Sequence, residues 1–455
     1  MKGGVKLKVE VKVDIKKLIN EKEFKLLKEL LKEQEPAKIV EMIEELPHDE
    51  KIVVFRFLPK DTAAEVFSQL EKDDQMELLS LFKEDKLKEI IENMEPDDRA
   101  DLLEELPANV VKRLLAHLSP EERQNTVILL NYPEYSAGRI MNPNFLDLKE
   151  SMTVKEALNH IKDEGNKKET IYTLFVIDNT RKLKGTVELK DLIFSEENEI
   201  IKNIMNETPI YSTVYDDEEE VARVMQDYDL LAIPVTDSEK RLVGIITIDD
   251  IVDVLEESAT EDIQKMAAVG VTETSYFHTS IWELVKSRVI WLGALLLFES
   301  IAVFVIEGFS DVLQKITVLA AFMPTINAIG GNTGSQMSAI VIRSMAVGDI
   351  EEDDFKKVLG KEFFSGIILG IILGVIMFLR SIVNTREPLI MLSLSLSIII
   401  VVMISNLLGA ILPFLAKKIH LDPALISGPF ISTLMDILSM FFYFSISALL
   451  LKDLL

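Results

Sequence analysis

The 455-residue chain contains no cysteine, only five histidines and two tryptophans, and no GxxxxGK[ST] run. Without cysteine there is no disulfide, zinc-thiolate site, iron–sulfur cluster or thiol nucleophile. His48, His117, His160, His278 and His420 are scattered with no ligand spacing, which argues against zinc or copper. The missing phosphate loop removes support for an NTP-hydrolysing motor, no catalytic constellation takes its place, and the chain reads as no enzyme. Positive charge is also scarce: 49 Lys+Arg stand against 75 Asp+Glu, a net charge of -26. Nucleic-acid binding needs the opposite sign, so no nucleic-acid partner is expected. The chemistry left to a chain this rich in carboxylate is that of hard cations.

What is present is divided unevenly. Residues 1–279 hold 37 basic and 61 acidic residues, whereas 280–455 hold 12 and 14. The second part is dominated by apolar runs near or above the roughly 20 residues that cross a bilayer. Five crossings are expected, at 289–306, 316–342, 363–383, 389–416 and 424–451. Met1–Leu18 alternates Lys with Val and lacks the continuous apolar core of a signal peptide. The acidic part is therefore expected in the cytoplasm, and an odd number of crossings puts the C-terminus outside a cell membrane. Lys286, Arg288, Arg343, Lys356, Lys357, Lys361, Lys417 and Lys418 then fall inside, against Lys315, Arg380, Arg386 and Lys452 outside.

Two crossings are unlike plain anchors. The second carries Pro324, Asn327, Gly330, Gly331, Asn332, Thr333, Gly334, Ser335 and Gln336 in its middle. Small-residue helix packing explains the glycines, but not Asn327, Asn332 and Gln336 together, so a broken helix lining water is expected. Pore-lining candidates are Pro324, Asn327, Gly331, Asn332 and Gln336, with Asp422 and Gly428 leading into the fifth crossing. The fifth holds Asp436; a charge at the bilayer centre costs about 2.5–3.5 kcal/mol, which marks it as functional. Glu299 in the first crossing is a weaker case, with no polar cluster around it in sequence.

In the acidic part, Leu46, Leu58, Leu70, Phe82, Met94, Leu106 and Leu118 recur every 12 residues, each followed by a turn such as Pro-His-Asp-Glu or Ser-Pro-Glu-Glu. Proline stops one helix and Asp or Ser is expected to cap the next. Helices so short are stable only when stacked, which predicts a small superhelical array. Between residues 142 and 255, FVIDNTRKLKGTVELKDLI aligns with PVTDSEKRLVGIITIDDIV at an offset of 59. Asp178 pairs with Asp237, Leu183 with Leu242, Gly185 with Gly244 and Asp191 with Asp250. Each copy reads strand, turn, strand and helix start, so the two make an α+β pair. An acidic helix follows and leads through Gly270 to the first crossing.

With these motifs in view the chain resembles the MgtE family of magnesium channels over nearly its whole length, and its duplicated segments resemble CBS domains. The resemblance rests on MEPDDRADLLEELP, YPEYSAGRIM, ESATEDI, GGNTGSQ and LDPALISGPFISTLMD, in the family's order. It implies a superhelical N domain (36–131), a first CBS domain with its junction (132–201), a second (202–258), a connecting plug helix (259–280) and a five-helix membrane domain (281–455), whereas the first 35 residues, read as an N-terminal arm (1–35), look peculiar to this chain. It further implies a homodimer in the bilayer whose pore lies on the subunit interface, with Asp436 holding a hydrated Mg²⁺ on its way inward. The plug, beginning near Glu261 and Asp262, would close when cytoplasmic Mg²⁺ bridges acidic faces of the N and CBS domains. Candidate sensor residues are Asp97, Asp98, Asp101, Asp217, Glu218, Asp249, Asp250, Asp253, Glu257, Glu261 and Asp262. In some relatives the CBS pair binds ATP, so ATP is a further implied ligand, although no nucleotide-contact residue stands out. The alternatives are a carrier coupling Mg²⁺ to H⁺ or Na⁺, and a membrane-anchored cation or nucleotide sensor.

Overall fold

The computed structural model describes residues 15–43, 46–70, 72–104, 106–271, 279–426 and 428–452. Residues 1–14 of the arm, Glu105, His278 and Ser427 lie outside the described residues. The chain divides into two compact units, 1–256 and 257–455.

Among the described residues the first unit opens with short helices: α1 Ile15–Asn20, α2 Phe24–Lys32, α3 Pro36–Ile43, α4 His48–Phe57, α5 Lys60–Ser68, α6 Lys72–Leu81, α7 Glu84–Asn93, α8 Pro96–Glu104, α9 Ala108–His117 and α10 Pro120–Leu130. The 12-residue pattern supplies their core. Leu46, Leu58, Leu70, Met94, Leu106 and Leu118 are all buried, and Phe82 packs against them. Contacts skip a neighbour: α2 meets α4, α3 meets α5, α4 meets α6, α5 meets α7 and α7 meets α9. Each turn of the array thus takes two helices, because a helix this short presents one apolar stripe and passes its neighbour at a sharp turn.

The expected capping by Asp or Ser is largely replaced. Pro47, Pro59 and Pro107 occupy the N-cap positions of α4, α5 and α9 with no side-chain bond, whereas Ser119 caps α10 by accepting from Glu122 N–H at 3.2 Å. The acids sit one step further in, as Asp49, Glu50, Asp61, Asp97, Asp98, Glu121 and Glu122 in first turns, where the positive end of the helix dipole favours them.

After α11 Ala137–Ile140 come the two copies. The first comprises β1 Asp147–Lys149, α12 Val154–Glu164, β2 Thr173–Ile177, β3 Leu183–Glu188 and α13 Leu189–Phe194. Following α14 Ile201–Ile204, the second comprises β4 Ser212–Thr213, α15 Glu218–Asp227, β5 Ala232–Thr236, β6 Leu242–Thr247 and α16 Ile248–Met266. Each sheet has one parallel and one antiparallel pairing, in the orders β1-β2-β3 and β4-β5-β6. Register repeats with the sequence offset: Val176 faces Gly185 as Val235 faces Gly244. Both hairpins turn through a residue at positive φ, Arg181 at 66° and Lys240 at 62°. The copies clasp there, with Leu183 N–H donating to Lys240 C=O at 3.0 Å and Leu242 N–H to Arg181 C=O at 2.9 Å.

The second unit contains α17 Ile281–Gly308, α18 Ser310–Lys315, α19 Met323–Ala346, α20 Phe355–Ser381, α21 Pro388–Lys418 and α22 Gly428–Leu450. Helices α17, α20, α21 and α22 are long and apolar enough to cross a membrane. The remaining expected crossing, α19, has 24 residues but a polar middle.

That middle is not broken. A single α-helix runs from Met323 to Ala346 through all its glycines, with Pro324 tolerated in the first turn. The glycines serve helix packing: a Cβ on Gly330 would come 2.3 Å from Ser439 Oγ, and one on Gly409 of α21 would come 2.4 Å from the Gly334 carbonyl oxygen. Backbone cannot yield as a side chain does, so Gly409→Ala should separate α19 from α21 and destabilise the membrane unit by about 1–3 kcal/mol. Thermal unfolding of the detergent-solubilised protein should show a lower midpoint for that variant, while Gly308→Ala, with nothing within 4 Å, leaves it unchanged.

Candidate functional site

Two polar constellations are built from the described residues, one in each unit. In the first unit, Glu95 precedes α8, whose first turn carries Asp97 and Asp98; α16 begins with Asp249, Asp250 and Asp253; and Glu169 sits in the loop before β2. Three of these acids, Glu95, Asp97 and Glu169, meet Asn142, which is fully buried. Its backbone is fixed by a reciprocal pair of bonds with Ile245, at 2.7 and 3.0 Å. Its Nδ2 donates to Glu169 Oε2 at 2.7 Å, Glu95 Oε2 at 3.1 Å and Asp97 Oδ1 at 3.3 Å. An amide has two hydrogens for three acceptors and no net charge. Repulsion among the acids is therefore only partly relieved.

The electrostatics follow from that arrangement. Burial, then Asp250, Asp98, Glu169 and Glu95, hold the Asp97 carboxyl well above the ordinary carboxylate range. Burial likewise pushes Asp98 up to about 6, against a lowering bond from Ser68 and with help from Glu95, Asp101 and Asp253. Glu169 rises to about 8 through burial and the charges of Glu95, Asp250, Asp249 and Asp98. Asp250 rises to about 7, chiefly through burial, although its bonds to the Thr247 hydroxyl and N–H oppose the shift. Asp253 moves the same way, by burial and then Glu256, Asp249 and Asp101. Among the described residues no three Asp, Glu or His side chains converge closely enough to hold a bare metal ion.

The sequence reading finds five of this cluster's acids and Asp101 beside them, and misses Glu95, Glu169 and Asn142. Asn142 follows directly on the YPEYSAGRIM motif, the one local signal for it. Glu169 has none, since a loop acid is brought there only by folding. Asp217 lies at the start of α15: its Oδ1 accepts from the N–H groups of Glu219 and Glu220 at 3.0 and 3.3 Å and caps that helix, with Glu218 in its first turn. Arg139, on α11, secures the junction by pairing with Glu104 at 2.5 Å and donating to Leu129 C=O at 3.2 Å.

In the second unit, α19 and α22 run antiparallel. Ser335 Oγ donates to Gly428 C=O at 3.0 Å and lies 3.3 Å from Ser432 Oγ, Gly331 packs on Ser432, and Gly330 packs on Ser439. Asp436 lies between Ser432 and Ser439 on α22, so it is level with Gly330 and Gly331 on α19. It is half-buried, and Glu299 of α17 is within electrostatic range. Glu299 thus acquires the acidic neighbour that sequence alone did not show. On α19, Pro324, Ala328, Asn332 and Gln336 recur every four residues and all are exposed, with Asn327 half-buried. Asp422 is not in that stripe: it caps the turn Pro423–Leu425 and pairs with Lys265 of α16 at 2.7 Å. Glu261 also bonds Lys265, and Glu257 and Asp262 share that stretch of helix.

A third feature lies where the two copies clasp. A cavity of about 340 Å³ is lined by Lys184, Glu207, Thr208, Tyr211, Thr236 and Lys240, among others. The Lys240 ammonium stands 5.5 Å over the Tyr211 ring.

Comparison with known proteins covers both units. A family model described as the MgtE intracellular N domain matches residues 34–135, CBS domain models match 137–197 and 201–257, and the MgtE divalent cation transporter model matches 323–446. The chain is 38% identical over 330 residues to the magnesium transporter MgtE of Thermus thermophilus, covering 72% of this chain and 73% of that one. To the MgtE of Bacillus subtilis it is 36% identical, covering 72% of each. Among solved structures, the cytosolic domain of the Mg²⁺ channel MgtE in complex with ATP matches with a TM-score of 0.52 and 38% identity, over 54% of this chain and 100% of that one. The soluble part of a magnesium transporter matches with the same TM-score at 30% identity, over 54% and 96%. This chain belongs to the MgtE family.

Proposed function

We propose that the protein is a Mg²⁺ channel working as a homodimer in the cell membrane, with its acidic unit in the cytoplasm and its C-terminus outside. The observation that carries this reading is the exposed stripe of Pro324, Asn332 and Gln336 on α19 together with the half-buried Asp436 on α22. Lipid penalises such a surface, so it faces water or a second copy. Two copies about a two-fold axis would bring two Asp436 carboxylates to one ion. Mg²⁺ keeps several waters and uses one or two carboxylates, which fits a wide polar lining better than a chelating cage. An inward potential of about 100 mV contributes roughly 4.6 kcal/mol for the ion's two charges, so no nucleotide hydrolysis is needed.

The acids around Asn142 supply the sensor. Their mutual repulsion opposes the contact between α8 and the CBS pair unless counter-charge is present, and hydrated Mg²⁺ provides it. The absence of a direct chelating triad among the described residues suits an ion held through its water shell. Ion-bridged closure by the plug expected at 259–280, whose start is the end of α16, would make the permeating ion its own inhibitor, as far as its differential affinity for the two states allows. ATP is placed at the clasp cavity, where Lys184 and Lys240 offer phosphate contacts and Tyr211 a ring face.

Three outcomes are expected. In liposomes of purified protein, Asp436→Ala should reduce Mg²⁺ flux to the background of protein-free vesicles; flux equal to wild type defeats the pore assignment, and strict dependence on an H⁺ or Na⁺ gradient favours a carrier. For the sensor, Asp98, Asp250 and Glu169, with pKa values of about 6, 7 and 8 when assembled, bind more protons assembled than apart. Their assembly is favoured below the ordinary carboxylate range, and that contribution is lost as pH rises through about 6 to 8. Without divalent ions, limited proteolysis between the helical array and the CBS pair should therefore be faster at about pH 8.5 than at pH 5.5. Millimolar Mg²⁺ should erase the difference; cleavage that ignores pH counts against the reading. For ATP, Lys240→Ala should weaken binding of a fluorescent ATP analogue by about tenfold, and unchanged affinity moves the nucleotide elsewhere.

A further inference from the structure

The first 32 residues reverse the charge of the unit they begin. They hold ten lysines, no arginine and five acids, whereas residues 33–279 hold 27 basic and 56 acidic residues. The match to the MgtE intracellular N domain starts at residue 34, so this basic stretch precedes the part shared with that model. Its described portion is α1 and α2, which pack together at one end of the helical array. Ile15, Leu27 and Leu31 are buried in the array's core, and Phe24 stacks on Phe57 of α4 with ring centroids 5.2 Å apart. The helices are thus fixed, while Lys16, Lys17, Lys22, Lys25, Lys28 and Lys32 are all exposed.

Three of these lysines form a stripe. Lys25, Lys28 and Lys32 recur at intervals of three and four residues and so share one face of α2. Ordinary helix chemistry leaves most of this charge unused. A cation in the last turn complements the helix dipole, which accounts for Lys32 but not for Lys25 or Lys28. Among the described residues Lys17 meets Glu21 at 3.8 Å, whereas no ion pair holds Lys25, Lys28 or Lys32. Ahead of α1, residues 5–13 alternate Val or Leu with polar residues and add Lys6, Lys8 and Lys12 to the same stretch of sequence. Ammonium groups on flexible stems suit many phosphates at unfixed positions, where a single oriented anion would be better held by the planar fork of arginine.

We propose that the lysine face of α2, with the basic stretch before it, docks on the anionic phosphate headgroups of the bilayer that holds the chain's own membrane unit. Helices α17, α20, α21 and α22 keep that bilayer on the same chain, so a contact too weak to recruit a free protein acts here at high effective concentration. The acidic remainder of the first unit is repelled by an anionic leaflet, which leaves its basic end to approach. The attraction is electrostatic and falls off within a Debye length, about 8 Å at physiological salt, so it is strongly salt-dependent. The contact requires a bilayer and exposed lysines, and it stands independently of the channel reading.

The test is lysine acylation, read by mass spectrometry on the full-length protein in nanodiscs of neutral phosphatidylcholine or of phosphatidylcholine mixed with anionic phosphatidylglycerol. At physiological salt Lys25, Lys28 and Lys32 should react several-fold more slowly in the anionic discs, and about 0.5 M salt should abolish the difference. Equal rates in the two discs overturn the proposal. Rates that are low in both and rise with salt place the lysines on the chain's own acids and overturn it too, as does inorganic phosphate that protects them equally well in neutral discs. Substitution gives a second reading. Combined Lys25→Gln, Lys28→Gln and Lys32→Gln should remove most of the lipid-dependent protection at Lys16, Lys17 and Lys22, whereas Lys25→Arg, Lys28→Arg and Lys32→Arg should keep it. Protection that survives in the glutamine variant, or is lost in both, overturns the docking face. All three side chains are exposed, so both variants should unfold at the wild-type midpoint. No reading uses Mg²⁺ flux, so failure of the channel reading leaves the lipid contact standing, and failure of the lipid contact leaves the channel reading standing.

Discussion

Carboxylates drawn out of water near one another repel, and something must offset that repulsion before the surfaces carrying them can meet. Around Asn142 the offset within the chain is one neutral amide shared among Glu95, Asp97 and Glu169. After burial, the largest influences on Asp97 are four other acids. The acids of α8 therefore meet those of α16 with like charge and only a neutral amide nearby. Contrast the pairing of Arg99 with Glu122 at 2.7 Å, or Arg139 with Glu104, where opposite charge is supplied by the sequence and no ion is needed. Fixed pairs and facing like charges thus occur side by side in the first unit.

The membrane unit obeys a different constraint, close approach of backbones. The contacts of Gly330 with Ser439 and of Gly409 with the Gly334 carbonyl bring α19, α21 and α22 together without the bulk of side chains. Packing in hydrocarbon gains little from the hydrophobic effect, so small residues on the inner faces supply the attraction by contact. One consequence is orientation. With its glycine face committed inward, α19 has only its outer face for Pro324, Asn332 and Gln336, and α22 then holds Asp436 at the same level. The glycines and amides that look like one polar cluster in sequence thus have two separate jobs, on two sides of one helix.

How much could be read from the sequence follows from how local each signal is. The 12-residue repeat and the duplication at an offset of 59 are local patterns, and both appear as built, down to matching positive-φ turns at Arg181 and Lys240. The expected break at Gly330–Gly334 does not appear, because glycine density marks close packing as readily as irregular backbone, and only the neighbours Ser432, Ser439 and Ile431 decide between them. Glu169, Asn142 and Lys265 escaped for the same reason. Each is ordinary in its own segment and gains its partner from a distant one: Glu95 and Asp97 for Asn142, Asp422 for Lys265. Asp217 shows a role legible locally, since an acid at the start of a helix can cap it.

The helix α16 shows how the local and distant effects combine. Its first turn carries Asp249 and Asp250, members of the cluster around Asn142, and its last turn carries Lys265, paired with Asp422. Nineteen residues of continuous helix make a rod of about 28 Å. A flexible linker between these ends would absorb a displacement in its own dihedral angles, whereas a helix passes it on. The charges at its two ends have opposite requirements: the acids at the start tolerate neighbours only when counter-charge arrives, and the lysine at the end is satisfied already. The two ends thus differ in what they need: counter-charge from outside the chain at the start, and none at the end, where Glu261 and Asp422 already supply it.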